Sequence, residues 1–110
     1  MEHTLRVESD ALVVAFSGEV DLEHSPKARE VLLEGVEQGK DLYVDLSGVT
    51  YIDSSGVASL VEAFQRAKGA GTDFVLVAVN PSALRVLQLA RLDKVFVIAE
   101  TLPEGLASSA

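Results

Sequence analysis

The stretch from Asp41 to Gly71, DLYVDLSGVTYIDSSGVASLVEAFQRAKGAG, decides how the chain folds. Leu42, Val44 and Leu46 alternate with Asp41, Tyr43 and Asp45 at the period of two that marks a strand. From Val57 to Ala67 the apolar residues Val57, Leu60, Val61, Phe64 and Ala67 recur at three- and four-residue spacings, which gathers them on one face of a helix. Between the two lies Asp53-Ser54-Ser55-Gly56, a polar turn at the carboxyl end of a strand and the amino end of a helix. The first turn of a helix leaves backbone N–H groups without partners, so Asp or Ser caps it and an anion can be held there. Gly56 leaves room for a neighbouring backbone or ligand to come close. Capping needs one short polar side chain, and this turn offers three.

Working outward, residues 4–10 alternate as a short strand, and residues 12–17, LVVAFS, form a second strand close enough to make an antiparallel hairpin with it. Gly18-Glu19-Val20-Asp21-Leu22 reads as a solvated acidic loop, with no spacing that marks a catalytic or metal-binding carboxylate pair. Ser25-Pro26 opens a helix, with Ser25 as its cap and Pro26 at the first helical position, and Gly39 closes it. Beyond the central stretch, whose helix Gly69-Ala70-Gly71 ends, residues 74–79, FVLVAV, form an apolar run expected of a strand covered on both faces. Asn80-Pro81-Ser82 starts a helix running to Leu92, and a last strand spans Val95 to Ala99. Residues 103–110 read as a brief helix or a frayed end. The order is β-β-α-β-α-β-α-β, with the later strands parallel and the first antiparallel at one edge.

Composition narrows the function. The 110 residues suit one domain spanning 1–110, and 48% hydrophobic with 24% charged residues predicts a folded chain. The absence of Cys removes disulfides, thiol chemistry and sulfur-ligated zinc. With only His3 and His24 besides, no metal site and no cofactor are expected. A formal charge of -8 repels phosphate backbones, so no direct nucleic-acid binding is expected. Neither a GxGxxG nor a GxxxxGK arrangement occurs, which argues against a nucleotide-binding enzyme. A serine nucleophile at Ser54 or Ser55 lacks a nearby His base and the G-x-S-x-G elbow, so a non-enzyme is expected. Residues 1–10 lack the basic start and apolar run of a signal peptide, and no segment suits a membrane helix, so a cytoplasmic location without membrane insertion is expected. Ser54 then reads as a substrate for another protein's chemistry: phosphorylation at a helix start adds about -1.5 to -2 charges to a docking surface.

Gly18-Glu19-Val20-Asp21, Ile52-Asp53-Ser54-Ser55-Gly56 and Asn80-Pro81 together resemble the STAS domains of bacterial anti-sigma factor antagonists, over nearly the whole chain. The resemblance implies an α/β fold with a mixed sheet of about five strands, the first antiparallel at the edge, and about four helices mainly on one face, so that strand 74–79 need not be helix-covered on both sides. It also implies a partner switch. The unphosphorylated antagonist binds an anti-sigma factor that is also an ATP-dependent serine kinase, freeing the sigma factor; phosphorylation on Ser54 releases it, and a phosphoserine phosphatase resets it. Asp21 and Asp53 belong, by the same resemblance, to the partner-recognition surface. With Ser54, Ser55, Gly56, Leu22, Val57 and Lys27 they make the expected docking surface of a monomer or weak dimer. An alternative within the same family is a structural or regulatory STAS subunit of a lipid-transport ABC complex or of a sensory complex, with the exposed side of the apolar helix 82–92 as a docking face for a transport ATPase or for a second copy of the chain.

Overall fold

A computed structural model describes residues 1–101. The strands β1 (Glu2–Glu8), β2 (Ala11–Val20), β3 (Leu42–Ile52), β4 (Phe74–Val77) and β5 (Val97–Ala99) lie side by side in that order. β1 pairs antiparallel with β2, and every later pair is parallel. Three helices, α1 (Ser25–Glu37), α2 (Ser54–Ala70) and α3 (Pro81–Leu89), supply the crossovers that parallel strands need. They pack on one face. The tail proposed as a fourth helix, residues 103–110, lies outside the described residues.

Side-chain alternation divides the core. Leu12, Val14, Leu42, Val44, Phe74 and Leu76 point to the helices and meet Leu32, Leu60 and Ala63. Their neighbours Val13, Tyr43, Val75 and Val77 form a second buried cluster with Ala11 and Ala99 on the other face. All of β4 is thus buried, as its unbroken apolar sequence predicts. The described helices nevertheless cover only the first face. β4 stops at Val77 because Ala78 turns into the left-handed region at φ 53°. Arg91, at φ 60°, lies just past the end of α3.

Further boundaries differ from the expected ones: α3 ends at Leu89 rather than Leu92, and β5 begins at Val97 rather than Val95. Residues 18–20 are not loop: β2 runs to Val20, and β3 runs beyond Leu46 to Ile52. The two strands stay paired through register shifts at Ala15/Ser17 and Gly18/Glu19, each of which inserts an extra residue into β3. Gly48 suits the first shift, since a Cβ there would lie 3.0 Å from the Ser17 Cβ and 3.2 Å from the Phe16 carbonyl. Ser25 does not cap α1. The N-cap is His24, whose side chain makes no capping bond to the helix, and the N–H groups of His24 and Ser25 donate to the Asp21 carbonyl at 3.1 and 2.7 Å. Pro26 does sit in the first turn.

β4 ends opposite Asp45, which leaves the second half of β3 without that neighbour. Asn80 replaces it. Its Nδ2 donates to the carbonyls of Leu46, at 3.3 Å, and of Val49, while its Oδ1 caps α3 by accepting the Ala83 N–H at 2.9 Å. One side chain therefore fixes the start of α3 to the projecting end of β3. No helix among the described residues is long and apolar enough to cross a membrane.

Candidate functional site

Because β2 and β3 are parallel neighbours, the segments after Val20 and Ile52 leave the sheet at the same end. Asp53 joins them. As N-cap of α2 it accepts on Oδ1 the N–H groups of Ser55 at 2.9 Å and Gly56 at 3.1 Å, and the Ser55 hydroxyl at 2.5 Å. Its Oδ2 accepts the N–H of Leu22 at 3.1 Å. The Ser55 hydroxyl, followed by these backbone N–H groups, holds the Asp53 carboxyl below its ordinary value against the opposing effect of partial burial. Asp53 is therefore an ionised organiser, and its acceptor capacity is largely used.

Ser54 is the first residue of α2 and is exposed. Its hydroxyl has no hydrogen-bond partner among the described residues, whereas that of Ser55 is committed to Asp53. No acidic residue stands in the first turn of α2, so the helix dipole there is met by Asp53 alone.

The loop before α1 is organised by a second carboxylate. Asp21 Oδ1 accepts the His24 N–H at 3.1 Å and lies 2.7 Å from His24 Nδ1. Partial burial pushes the Asp21 carboxyl up, but the His24 N–H and ring outweigh it and leave the carboxyl lowered. Glu23 joins this pair, with one ligand atom from each of the three residues within 4.8 Å of the others. His24 thus has carboxylate neighbours that its sequence context did not suggest. Asp21 and His24 are already spent on each other, and His3 stands apart, against the Phe16 ring. The loop leaves Leu22 76% exposed beside the Ser54 turn.

The expected docking residues divide into two groups. Leu22, Ser54 and Lys27 are exposed, and Asp21, Asp53 and Ser55 are half-buried. Lys27 stands on the first turn of α1 and pairs with Glu30 at 3.6 Å. Gly56 and Val57 are instead buried beneath the turn, so neither offers its surface for docking. A Cβ on Gly56 would collide with the Val20 carbonyl and lie 2.8 Å from Ile52 Cγ1, which makes Gly56 the point where α2 rests on the ends of β2 and β3.

Several residues around the turn were not found from sequence. Ser59 is buried and donates its hydroxyl to the carbonyls of Ser25 and Ser55, both at 3.2 Å, tying α1 to α2. A serine on the apolar face of a helix was the available signal. Arg29 and Glu62 close the same seam with a bidentate pair at 2.6 to 3.0 Å, which no spacing across 33 residues could announce. Tyr51, on the projecting end of β3, and Ala58, one turn into α2, are exposed near Ser54. A groove of about 290 Å³ runs between the two helices, lined by Pro26, Arg29, Ser55, Ala58 and Glu62 among others.

Comparison with known proteins places this geometry. The family model of the STAS domain matches residues 2–105. The chain is 31% identical over 86 residues to the anti-sigma-B factor antagonist of Bacillus subtilis, covering 78% of this chain and 79% of that protein. The crystal structure of an anti-sigma factor antagonist from Mycobacterium paratuberculosis superimposes with a TM-score of 0.91 at 28% identity, covering 98% of this chain and 92% of that one. The phosphorylated form of the Bacillus cell fate determinant SpoIIAA shares the fold, with a TM-score of 0.75 at 19% identity over 99% of this chain and 100% of that one.

Proposed function

Because the chain belongs to the STAS domain family, we propose that it is an anti-sigma factor antagonist whose partner is an anti-sigma factor with ATP-dependent serine kinase activity. Unmodified, it binds that partner and so frees a sigma factor for transcription; phosphorylated on Ser54, it lets go; a phosphoserine phosphatase restores the binding form. The observation that carries this reading is the contrast between the two serines of the turn. Ser54 presents a free, exposed hydroxyl, and Ser55 spends its own on Asp53.

The chemistry belongs to the partner. A kinase-bound ATP offers its γ-phosphoryl group in line with the Ser54 Oγ; the new O–P bond forms as the bond to the β-phosphate oxygen breaks and ADP leaves. The hydroxyl proton passes to a base on the kinase, since both Asp53 oxygens already accept hydrogen bonds. The antagonist's contribution is positional. Asp53 fixes the first turn of α2 and the Leu22 loop together, so Ser54 stands at a constant place beside an exposed apolar residue. Leu22 provides the apolar centre of the docking surface, and Asp21, Asp53, Ser55 and Lys27 its polar rim.

The same geometry explains release. A phosphate at the first position of α2 is favourable to the helix but brings about -1.5 to -2 charges into an interface built around a neutral hydroxyl. Desolvating that charge without a partner is costly, so the complex weakens while the fold persists. Incubation with ATP and the cognate anti-sigma factor, followed by mapping of the modified peptide, tests the assignment. Phosphate on Ser54, abolished in Ser54→Ala, supports it; phosphate on Ser55 with Ser54 untouched overturns it.

A further inference from the structure

β1 is an edge strand guarded only by its charged residues Glu2, Arg6 and Glu8, the last two paired with each other at 3.3 Å. It pairs with β2 in unbroken register from Glu2 to Glu8, and it contains no Pro, no Lys and no bulge to discourage another strand from adding to it. Leu5 and Val7 lie on the helix side of the sheet, opposite Val14 and Leu12, yet they remain 45% and 59% exposed.

The turn defines which backbone groups face outward. Ser9 and Asp10 both have positive φ, 51° and 64°, the form of a two-residue hairpin turn that makes Glu8 and Ala11 its closing hydrogen-bonded pair. Glu8, Arg6, Thr4 and Glu2 therefore direct their N–H and C=O groups to β2, and Val7, Leu5 and His3 direct theirs to the open edge. A second antiparallel copy must set outward residues against outward residues, which leaves few registers.

Charge selects among them. With the two-fold axis at Leu5, Glu2 faces Glu8 of the other copy twice; with the axis at Arg6, two arginines meet. An axis at Val7 pairs Arg6 with Glu8 but runs Leu5 into the Ser9 turn. An axis at Thr4 sets Glu2 against Arg6 of the other copy in both directions, places His3 opposite Leu5, and leaves no like-charge pair. We propose that β1 is a self-association edge, through which two copies of this chain pair antiparallel about a two-fold axis at Thr4. The result is one continuous ten-stranded sheet, with the exposed Leu5 and Val7 side chains of both copies flanked by their α1 helices. The antiparallel arrangement points the two Ser54 turns to opposite ends, so both stay open. Five facing residues per strand bury less area than a permanent dimer needs, so the association is weak and concentration-dependent.

The absence of Cys makes the test direct. Thr4 meets its own copy as a non-hydrogen-bonded pair, with Cα atoms about 4.5 Å apart, inside the range that a disulfide spans. Under mild oxidation Thr4→Cys should give a covalent dimer faster than either Arg6→Cys or a helix control, Glu34→Cys. Sedimentation of the unmodified chain should show a mass that rises with concentration. Arg6→Glu should weaken that association about tenfold or more, and adding Glu2→Arg should restore it. Faster cross-linking from Arg6→Cys overturns the register. A chain that stays monomeric while Thr4→Cys links no faster than Glu34→Cys overturns the proposal and leaves the edge to a strand of another protein.

Discussion

The Leu22 N–H donates to Asp53 Oδ2 at 3.1 Å, joining the loop after β2 to the turn after β3 across 31 residues of sequence. The other oxygen of the same carboxylate caps α2. One side chain thus holds both parts of the proposed docking surface. Asp53→Asn should keep the cap, because Asn is as good an N-cap as Asp, whereas Asp53→Ala should lose cap and clip together. Amide exchange at Leu22 is the readout: it should accelerate strongly in Asp53→Ala and only slightly in Asp53→Asn.

The pH dependence of this clip has a definite sign. The Asp53 carboxyl titrates below its ordinary value of 3.8, so its ionised form favours the folded chain. That contribution is complete above the unfolded value and is lost as pH falls through the lower, folded one. Asp21 acts in the same direction. Thermal melts between neutral and strongly acidic pH should show stability falling below about pH 4, with a shallower acid slope in Asp53→Asn.

Gly56→Ala should destabilise the domain by about 1 to 3 kcal/mol or more, because the obstruction is the Val20 backbone carbonyl and cannot swing aside. Chemical denaturation measures it. Gly69→Ala, where a Cβ meets nothing within 4 Å in the last turn of α2, should instead be neutral or stabilising.

Asn80→Ala should cost about 1 to 3 kcal/mol, since it removes the α3 cap and leaves the Leu46 and Val49 carbonyls without their donor. Asn80→Asp keeps the cap but not the donor. An intermediate loss for Asp would separate the two roles, and equal stability of all three proteins would show that Asn80 does not hold β3 and α3 together.

Ser54→Asp should leave the melting temperature within a few degrees of the parent, since a negative charge at a helix start is worth roughly 0.3 to 1 kcal/mol in its favour. Affinity for the anti-sigma factor should fall, by less than full phosphorylation achieves, because Asp carries the smaller charge. A melting temperature that collapses while affinity holds contradicts the account.

The element order and the parallel core were legible because β3 and α2 carry clean periodicity, Leu42, Val44 and Leu46 at one spacing and Val57, Leu60 and Phe64 at another, and because β4 is an unbroken apolar run. The Asp53 cap was legible because a short acid before a helical face has few other uses. The extensions of β2 and β3 were not, since Gly18, Glu19 and Ser47 are ordinarily loop residues and here are carried by the pairing of two strands through bulges. The Ser25 cap was legible only as local chemistry, and the Lys27 and Ala28 N–H groups that it would accept donate instead to the His24 carbonyl. Val57 was placed on the surface because it neighbours the turn, yet the helical period that identified α2 also carries it to the core face. The contacts that fix the site's shape, Leu22 with Asp53 and Arg29 with Glu62, cross more than 30 residues and have no local signature.

The central claim is that one modification at Ser54 switches partner binding. Calorimetric titration of the cognate anti-sigma factor with the same protein before and after enzymatic phosphorylation, with the modification confirmed on Ser54, tests it most directly. The account predicts tight binding before and a loss of at least about tenfold after, reversed by a phosphoserine phosphatase, with the fold unchanged by circular dichroism. Equal affinity of the two forms would contradict it.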